Sequence, residues 1–412
     1  MKITLRDTKP SPVWISKPAN PGANYYRVTL PARMCGGRVI RSLQVLNPAR
    51  QIVDVDLFDD TQRARFMALP AATILNMGDP FVLRLTDVLL EFRPADWTQI
   101  IRSFREAGLR VCLDFDDYIW DVLLRGKTGH ILAKLEEARQ FIFGQMRAVQ
   151  PWVSQAALDR WWEEIVSAKV DRKIDELASA LSDLLETTSL IASTERLKAS
   201  TLKRFPNAQI AVAPNCIDPA DFPPTSRKGD VVRIGYCGTS AHGPDTALIM
   251  PGLTECAQMP GVEILLFGWH PLHGQTRAPG MYEAGGLRYR YGGEFSDFSE
   301  FNRQIGALDV ALAPLRAGEF NDAKASQKFF ESAVHGTAMV LQDSCAYACA
   351  THDVDCLKAK DSAEFTRYMK LLVENAELRR RMGGAARQAV LTRHTVSQWA
   401  EHWRSAVGNG RG

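Results

Sequence analysis

Two lysines and a glutamate at helical spacing, Lys324, Lys328 and Glu331, are the residues in this 412-residue sequence best suited to chemistry. They lie in EFNDAKASQKFFESAVHGTAMVLQD, residues 319–343, where Asn321 or Asp322 can cap a helix and no Pro or Gly intervenes before Gly336. At about 100° per residue, Lys324, Lys328, Glu331 and His335 fall within roughly 60° of one another, and Phe329, Phe330 and Ala333 turn toward a core. The positive end of a helix and two cations attract phosphate, while a carboxylate accepts hydrogen bonds from sugar hydroxyls. The same spacing also describes the solvated face of an amphipathic helix, so the surroundings must decide.

Two further stretches carry candidate chemistry. VRIGYCGTSAHGPD, residues 232–245, reads as a strand followed by a glycine- and hydroxyl-rich turn whose backbone N–H groups could cradle phosphate. It lacks the spacing and terminal Gly-Lys of a P-loop. Asp114, Asp116 and Asp117 close a strand beginning near Arg110, a position where open α/β sheets hold ligands. They fit metal binding, a general base, an anchor for an acceptor hydroxyl, or a loop that caps the next segment. Arg379–Arg381 is either a phosphate-binding patch or a charged helix end. The eight cysteines contain no C-x-x-C pair, and Cys345 and Cys349 have no second pair to complete a zinc site, so reduced thiols are expected.

The elements that must position these groups alternate strand and helix. Strands are expected at 2–5, 39–45, 52–57, 81–85, 110–113, 189–192 and 209–213. A Pro/Gly/Asn-rich loop covers 10–24, and helices cover 94–107 and 195–204, the latter capped by Ser193 or Thr194. Residues 127–185 are nearly free of Pro and Gly and read as a helical insert in which Trp152, Trp161 and Trp162 sit among mixed charges. Core packing, or contact with a nucleic acid or membrane surface, would each use such residues. The three prolines of NCIDPADFPPTSRKGD, with Pro214 just before it, mark a linker. Beyond it come strands at 231–236, 262–267, 310–313 and 338–341, a helix at 298–307, and a helical tail from 362 to 407 divided at Gly383-Gly384.

Hydrophobic content of 46% and charge content of 24% describe an ordinary globular chain long enough for two cores. A net charge of +3 argues against nucleic acid as the primary partner. With no apolar leader and no membrane-length run, a cytoplasmic enzyme or binding protein is expected.

Together these pieces resemble the GT-B-fold glycosyltransferases, in particular bacterial retaining enzymes of the group 1 type. LIASTERLKASTLKRFPNAQIAVAPNCID resembles the end of their N-terminal domain. VRIGYCGTSAHGPD resembles the first strand and donor loop of the C-terminal domain, and ALDVALAPL followed by NDAKASQKFFESAVHGTAMVLQD is similar to the donor-site helix. ENAELRRRMGGAARQAVLTRHTVSQWAEHW resembles the terminal helices, and GLRVCLDFDDYIWD a strand-plus-aspartate element of enzymes that build cell-surface polysaccharide. The resemblance implies two Rossmann-like α/β domains with parallel sheets facing across a cleft, plus the helical insert. Residues 1–215 would bind acceptor, 216–230 would link, 231–393 would bind the nucleotide sugar, and 394–412 would return to the first domain.

The resemblance also implies roles. Glu331 matches the second glutamate of the family's paired-glutamate motif, which binds the donor ribose. The first would fall at position 323, which is Ala, and the chain instead reads N-x-x-K-x-x-x-K-x-x-E through Asn321, Lys324, Lys328 and Glu331. Lys324 and Ser326 would hold the diphosphate, approached by Gly238, Thr239 and His242 from the donor loop. No histidine occurs before Trp120, so Asp116 and Asp117 stand in for the sugar-site histidine of some relatives, and with Lys324 form the expected catalytic set. The expected reaction is sugar transfer from a UDP- or GDP-linked donor to a hydroxyl acceptor, retaining, with no metal or further cofactor. Alternatives are a binding protein that has lost catalysis, a nucleotide-sugar epimerase, and a transferase acting on modified DNA. Contact with DNA or a membrane surface would run through the insert.

Overall fold

The structure is a computed structural model that describes residues 2–5, 11–16, 25–75, 80–85, 94–117, 143, 154–160, 179–223, 231–238, 243–271, 278–295 and 297–408. Thr239, His242 and most of the insert at 127–185 lie outside the described residues; within the insert, 155–160 and 179–185 are helical.

The N-terminal half is built on a six-stranded sheet in which every neighbouring pair is parallel. Its spatial order is Gln209–Val212 (β10), Ser189–Ala192 (β9), Val111–Phe115 (β8), Phe81–Arg84 (β7), Val13–Ile15 (β2) and Arg38–Ile40 (β3). Phe81–Arg84 and Val111–Phe115 are buried at every position, the pattern of parallel strands covered on both faces. A second sheet joins Lys2–Leu5 (β1), Ala71–Ile74 (β6), Leu43–Leu46 (β4) and Ile52–Val55 (β5), with β1 parallel to β6 and the other pairs antiparallel.

Several expectations change here. The first strand of the six-stranded sheet, Val13–Ile15, falls inside the segment read as a loop, and Lys2–Leu5 belongs to the smaller sheet. The single strand expected at 39–45 is two strands in two sheets, divided at Arg41-Ser42. Tyr25–Thr29 and Leu30–Met34 are helical, and their rings and aliphatic groups are buried between the domains.

The C-terminal half is a seven-stranded sheet in the order Gly280–Ala284 (β13), Leu287–Tyr291 (β14), Val262–Phe267 (β12), Val232–Cys237 (β11), Val310–Ala313 (β15), Ala338–Gln342 (β16) and Leu357–Ala359 (β17). Only the edge pair β13–β14 is antiparallel. The glycine-rich Arg/Tyr segment at 285–293 is thus one arm of a hairpin whose turn holds Gly285 and Gly286 at positive φ. The helical tail comprises Ser362–Glu374, Ala376–Arg393 and Val396–Gly408. The second helix runs straight through Gly383-Gly384, and the breaks fall at Asn375 and His394-Thr395 instead. Arg379 caps the helix before it, donating to the carbonyls of Leu372 at 2.6 Å and Val373 at 2.7 Å.

The chain crosses between the halves twice, and the crossings lie side by side. The Ile217 N–H donates to the His394 carbonyl at 2.9 Å, and the Val396 N–H donates to the Ile217 carbonyl at 2.9 Å. The terminal helix Val396–Gly408 then returns to the N-terminal half. There the Trp403 indole N–H donates to the Pro214 carbonyl at 3.0 Å, and the Arg404 Nε donates to the Met34 carbonyl at 3.2 Å.

Candidate functional site

The site lies where the carboxyl ends of the two large sheets meet. Asp116-Asp117 follow β8 and Ser193-Thr194 follow β9 on one side; Gly238 follows β11 and Pro314-Leu315 follow β15 on the other. Two contacts across this junction bring the two sets together. The Thr194 hydroxyl accepts from the Leu197 N–H at 2.9 Å, capping helix Glu195–Arg204, and donates to the Ala323 carbonyl at 2.8 Å. Lys324 Nζ donates to Asp117 Oδ1 at 2.7 Å.

The helix expected through residues 321–335 is broken. One turn covers Glu319–Asp322, and the main segment starts after Ser326 and runs Gln327–Ala333. The cause is tertiary: Ala323 is fully buried in the core of the N-terminal half with Phe320 packed beside it. Its carbonyl, which a continuous helix would offer to the Gln327 N–H, bonds Thr194. Lys324 therefore sits before the helix, apart from the face carrying Lys328 and Glu331. The helix stops as expected at Gly336, whose φ is +68°.

Lys328 and Glu331 form the inner part of the site. Lys328 Nζ donates to the Cys237 carbonyl at the end of β11 and lies 4.9 Å from the centre of the Tyr236 ring. Glu331 is 8% exposed, and burial pushes its carboxyl up to about 7, with the Lys328 charge pulling it back. Gly238 is required by the same packing: a Cβ there would lie 2.3 Å from the Tyr236 hydroxyl. The Gly238 N–H donates to the Phe267 carbonyl at 3.1 Å.

Asn321 and Ser326 brace the loops around the site. Buried Asp245 accepts from the Arg316 N–H at 2.9 Å and from Asn321 Nδ2 at 3.2 Å, tying the turn after β11 to the turn after β15. Asn321 Nδ2 also donates to the Arg316 carbonyl at 2.9 Å, and the Ser326 hydroxyl donates to the Ala346 carbonyl at 2.5 Å. His335 is not on the lysine face. Its Nε2 is 2.6 Å from Asn302 Oδ1, and Asn302 Nδ2 donates to the Asp221 carbonyl at 2.8 Å, so this chain of bonds leads to the linker.

The three aspartates have separate roles. Asp114 is buried and paired with Arg27, whose Nε lies 3.0 Å from Asp114 Oδ2. Burial raises its carboxyl to about 6 and Arg27 draws it down. Asp116 lies 3.8 Å from the Arg84 guanidinium, and Asp117 alone reaches the C-terminal half. Sequence reasoning missed Thr194 as a cross-domain contact, Tyr236 as the platform under Lys328, and Asp245 as the brace. Thr194 was visible only as a helix cap, and Tyr236 only as a strand residue.

Two α/β units with parallel sheets meeting at their carboxyl ends, joined by a double crossing, define the GT-B class of fold. Solved structures share it over nearly the whole chain. HepE of Anabaena, in complex with UDP-glucose, aligns with a TM-score of 0.55 at 12% identity, covering 97% of this chain and 99% of that one. A glycosyltransferase of Rickettsia africae gives 0.53 at 10% identity, covering 97% and 100%. The sucrose-phosphate synthase of Thermosynechococcus elongatus gives 0.52 at 12% identity, covering 95% and 97%. No curated protein matches the sequence. Residues 255–405 match the profile of the family described as "Glycosyl transferase-like", so this part of a chain with the GT-B fold is similar to glycosyltransferases. Among the described residues no helix is long and apolar enough to cross a membrane.

Proposed function

We propose that the chain transfers a sugar from a nucleoside diphosphate sugar to a hydroxyl acceptor held by the N-terminal half. The observation that carries the reading is that one helix inside the matched family region holds both buried Glu331 and Lys328, whose ammonium bonds the Cys237 carbonyl at the carboxyl end of β11 and whose charge acts on the Glu331 carboxyl. A carboxylate beside a cation in a shielded pocket is suited to the ribose hydroxyls and adjoining phosphates of a nucleotide. HepE, similar in fold, is solved with UDP and with UDP-glucose, which supports a uridine nucleotide as the first donor to try.

In this reading the leaving diphosphate develops charge that Lys328 and Lys324 stabilise, and no further cofactor takes part. Retention of configuration follows from the resemblance to group 1 enzymes. Gly238, Thr239, His242, Asn321 and Ser326 frame the donor, and Asp116 and Asp117 face the acceptor. The protein works in the cytoplasm, and a cell-surface polysaccharide precursor is the acceptor class to test. The test is a thermal-shift panel of UDP- and GDP-sugars, followed by measurement of released nucleotide with and without acceptor. Lys328→Ala and Glu331→Ala should each abolish the donor-induced shift; a shift surviving in both sinks the assignment.

One observation favours a second reading, donor binding without turnover. Position 323 holds a buried alanine where the resemblance implies a glutamate, so that carboxylate is missing from the sugar site. Stoichiometric binding of a donor with no nucleotide released under any acceptor would select this reading.

A further inference from the structure

We propose that the Lys324–Asp117 ion pair is a lock between the two domains, opened when the diphosphate of a nucleoside diphosphate ligand takes Lys324. This rests on the donor-site reading above and adds a conformational consequence to it. Segment Glu319–Lys324, which precedes the donor helix, is held by the N-terminal half at several points. Ala323 is fully buried in the other domain's core, Phe320 packs beside it, and Thr194 bonds the Ala323 carbonyl. At the edge of this contact Lys203 and Glu319 pair at 3.3 Å, but with side chains 74% and 46% exposed they hold little.

The Lys324 contact differs from that pair in two respects. Its ammonium is shielded, at 14% side-chain exposure, between Asp117 Oδ1 at 2.7 Å and the Phe320 ring centre at 4.4 Å. Its cation also lies three positions before the helix Gln327–Ala333, which carries Lys328 and Glu331. Its partner is a single carboxylate on the opposite domain. A diphosphate brings more negative charge to the same ammonium and repels Asp117, so ligand entry both breaks the pair and drives the carboxylate away. The pair therefore favours the docked arrangement without ligand, and part of the ligand's binding energy goes into undoing it.

The test uses the full chain and Asp117→Asn, which keeps the shape and removes the charge, with Glu319→Gln as a control that removes the charge of the exposed pair and leaves an oxygen to accept from Ser200. Amide exchange of residues 319–324 is measured without ligand, and affinities for UDP and GDP are measured by calorimetry. The lock predicts faster exchange in Asp117→Asn and roughly fivefold to tenfold tighter binding of the preferred nucleotide, with Glu319→Gln behaving as wild type. Equal or weaker nucleotide affinity in Asp117→Asn overturns the lock while leaving the donor site intact. If neither nucleotide binds any of the three proteins, the donor-site reading fails and the lock loses its ligand. An equal gain in the Glu319→Gln control would also overturn it, since the effect would then be general loosening.

Discussion

Glu331 is a side chain whose charge state depends strongly on its burial. Burial raises its carboxyl from 4.5 to about 7, so between those values the folded protein holds a proton that the unfolded chain has released. Stability therefore falls as pH rises through this window, by about 3 kcal/mol at most. Glu331→Gln removes that slope: in melting curves the variant should gain on wild type between pH 5.5 and pH 8. Nucleotide binding has the opposite sign, because ribose hydroxyls donate to the ionised form, so wild-type affinity should rise with pH and level off above about 7. Lys328 couples to this. Replacing it with Met removes the charge that draws the Glu331 carboxyl down. Titration calorimetry should then find the affinity midpoint at higher pH, and nucleotide binding weaker by about tenfold to a hundredfold even at its best pH.

How much was legible in the sequence depended on whether an element's cause was local. Helix Glu195–Arg204 with its Thr194 cap, strand Val262–Phe267 and strand Val310–Ala313 stand where the pattern places them, because caps and apolar runs are local signals. The break at Ala323–Ser326 was not legible. Nothing in DAKASQ opposes a helix, and the cause is a threonine hydroxyl 129 positions away in the chain. The alanine at 323 read as a missing glutamate, yet in the fold it is a contact surface: a glutamate there would have to leave the other domain's core. Gly383-Gly384 misled in the reverse sense, marking a helix interior where a break was expected. Gly383 lets helix Ala376–Arg393 pass against the turn that ends helix Gln327–Ala333, since a Cβ there would lie 2.1 Å from the Gly336 carbonyl oxygen. Backbone cannot yield as a side-chain tip can, so Gly383→Ala should cost about 1–3 kcal/mol, read as a lower denaturant midpoint with unchanged slope. Gly384, with nothing within 4 Å of its Cβ position, should tolerate the same change.

The whole molecule is joined at one buried cluster as well as at the site. Arg27, fully buried, donates to Asp114 on β8, to the Ala213 carbonyl at 2.7 Å and to Asn215 Oδ1 at 3.0 Å, and its guanidinium lies 4.4 Å from the Trp403 ring centre. One side chain thus connects the central strand of the N-terminal sheet, the start of the linker and the terminal helix of the chain. The double crossing at Ile217 and Thr395 lies next to this cluster, so the relative position of the domains depends on how firmly the terminal helix is held. Trp403→Ala removes a fully buried indole, its bond to the Pro214 carbonyl and the face on which Arg27 stacks. The expected cost is about 3–5 kcal/mol, and it falls on the contact between domains more than on either sheet. Calorimetry should therefore split a single unfolding transition into two, the C-terminal unit melting apart from the N-terminal one. Asp114→Asn makes the contrasting case: it leaves the Arg27 charge buried without its carboxylate and should lower the N-terminal transition itself by about 3–5 kcal/mol. If Trp403→Ala instead lowers one undivided transition, the terminal helix stabilises a single cooperative unit and the cluster does not couple two.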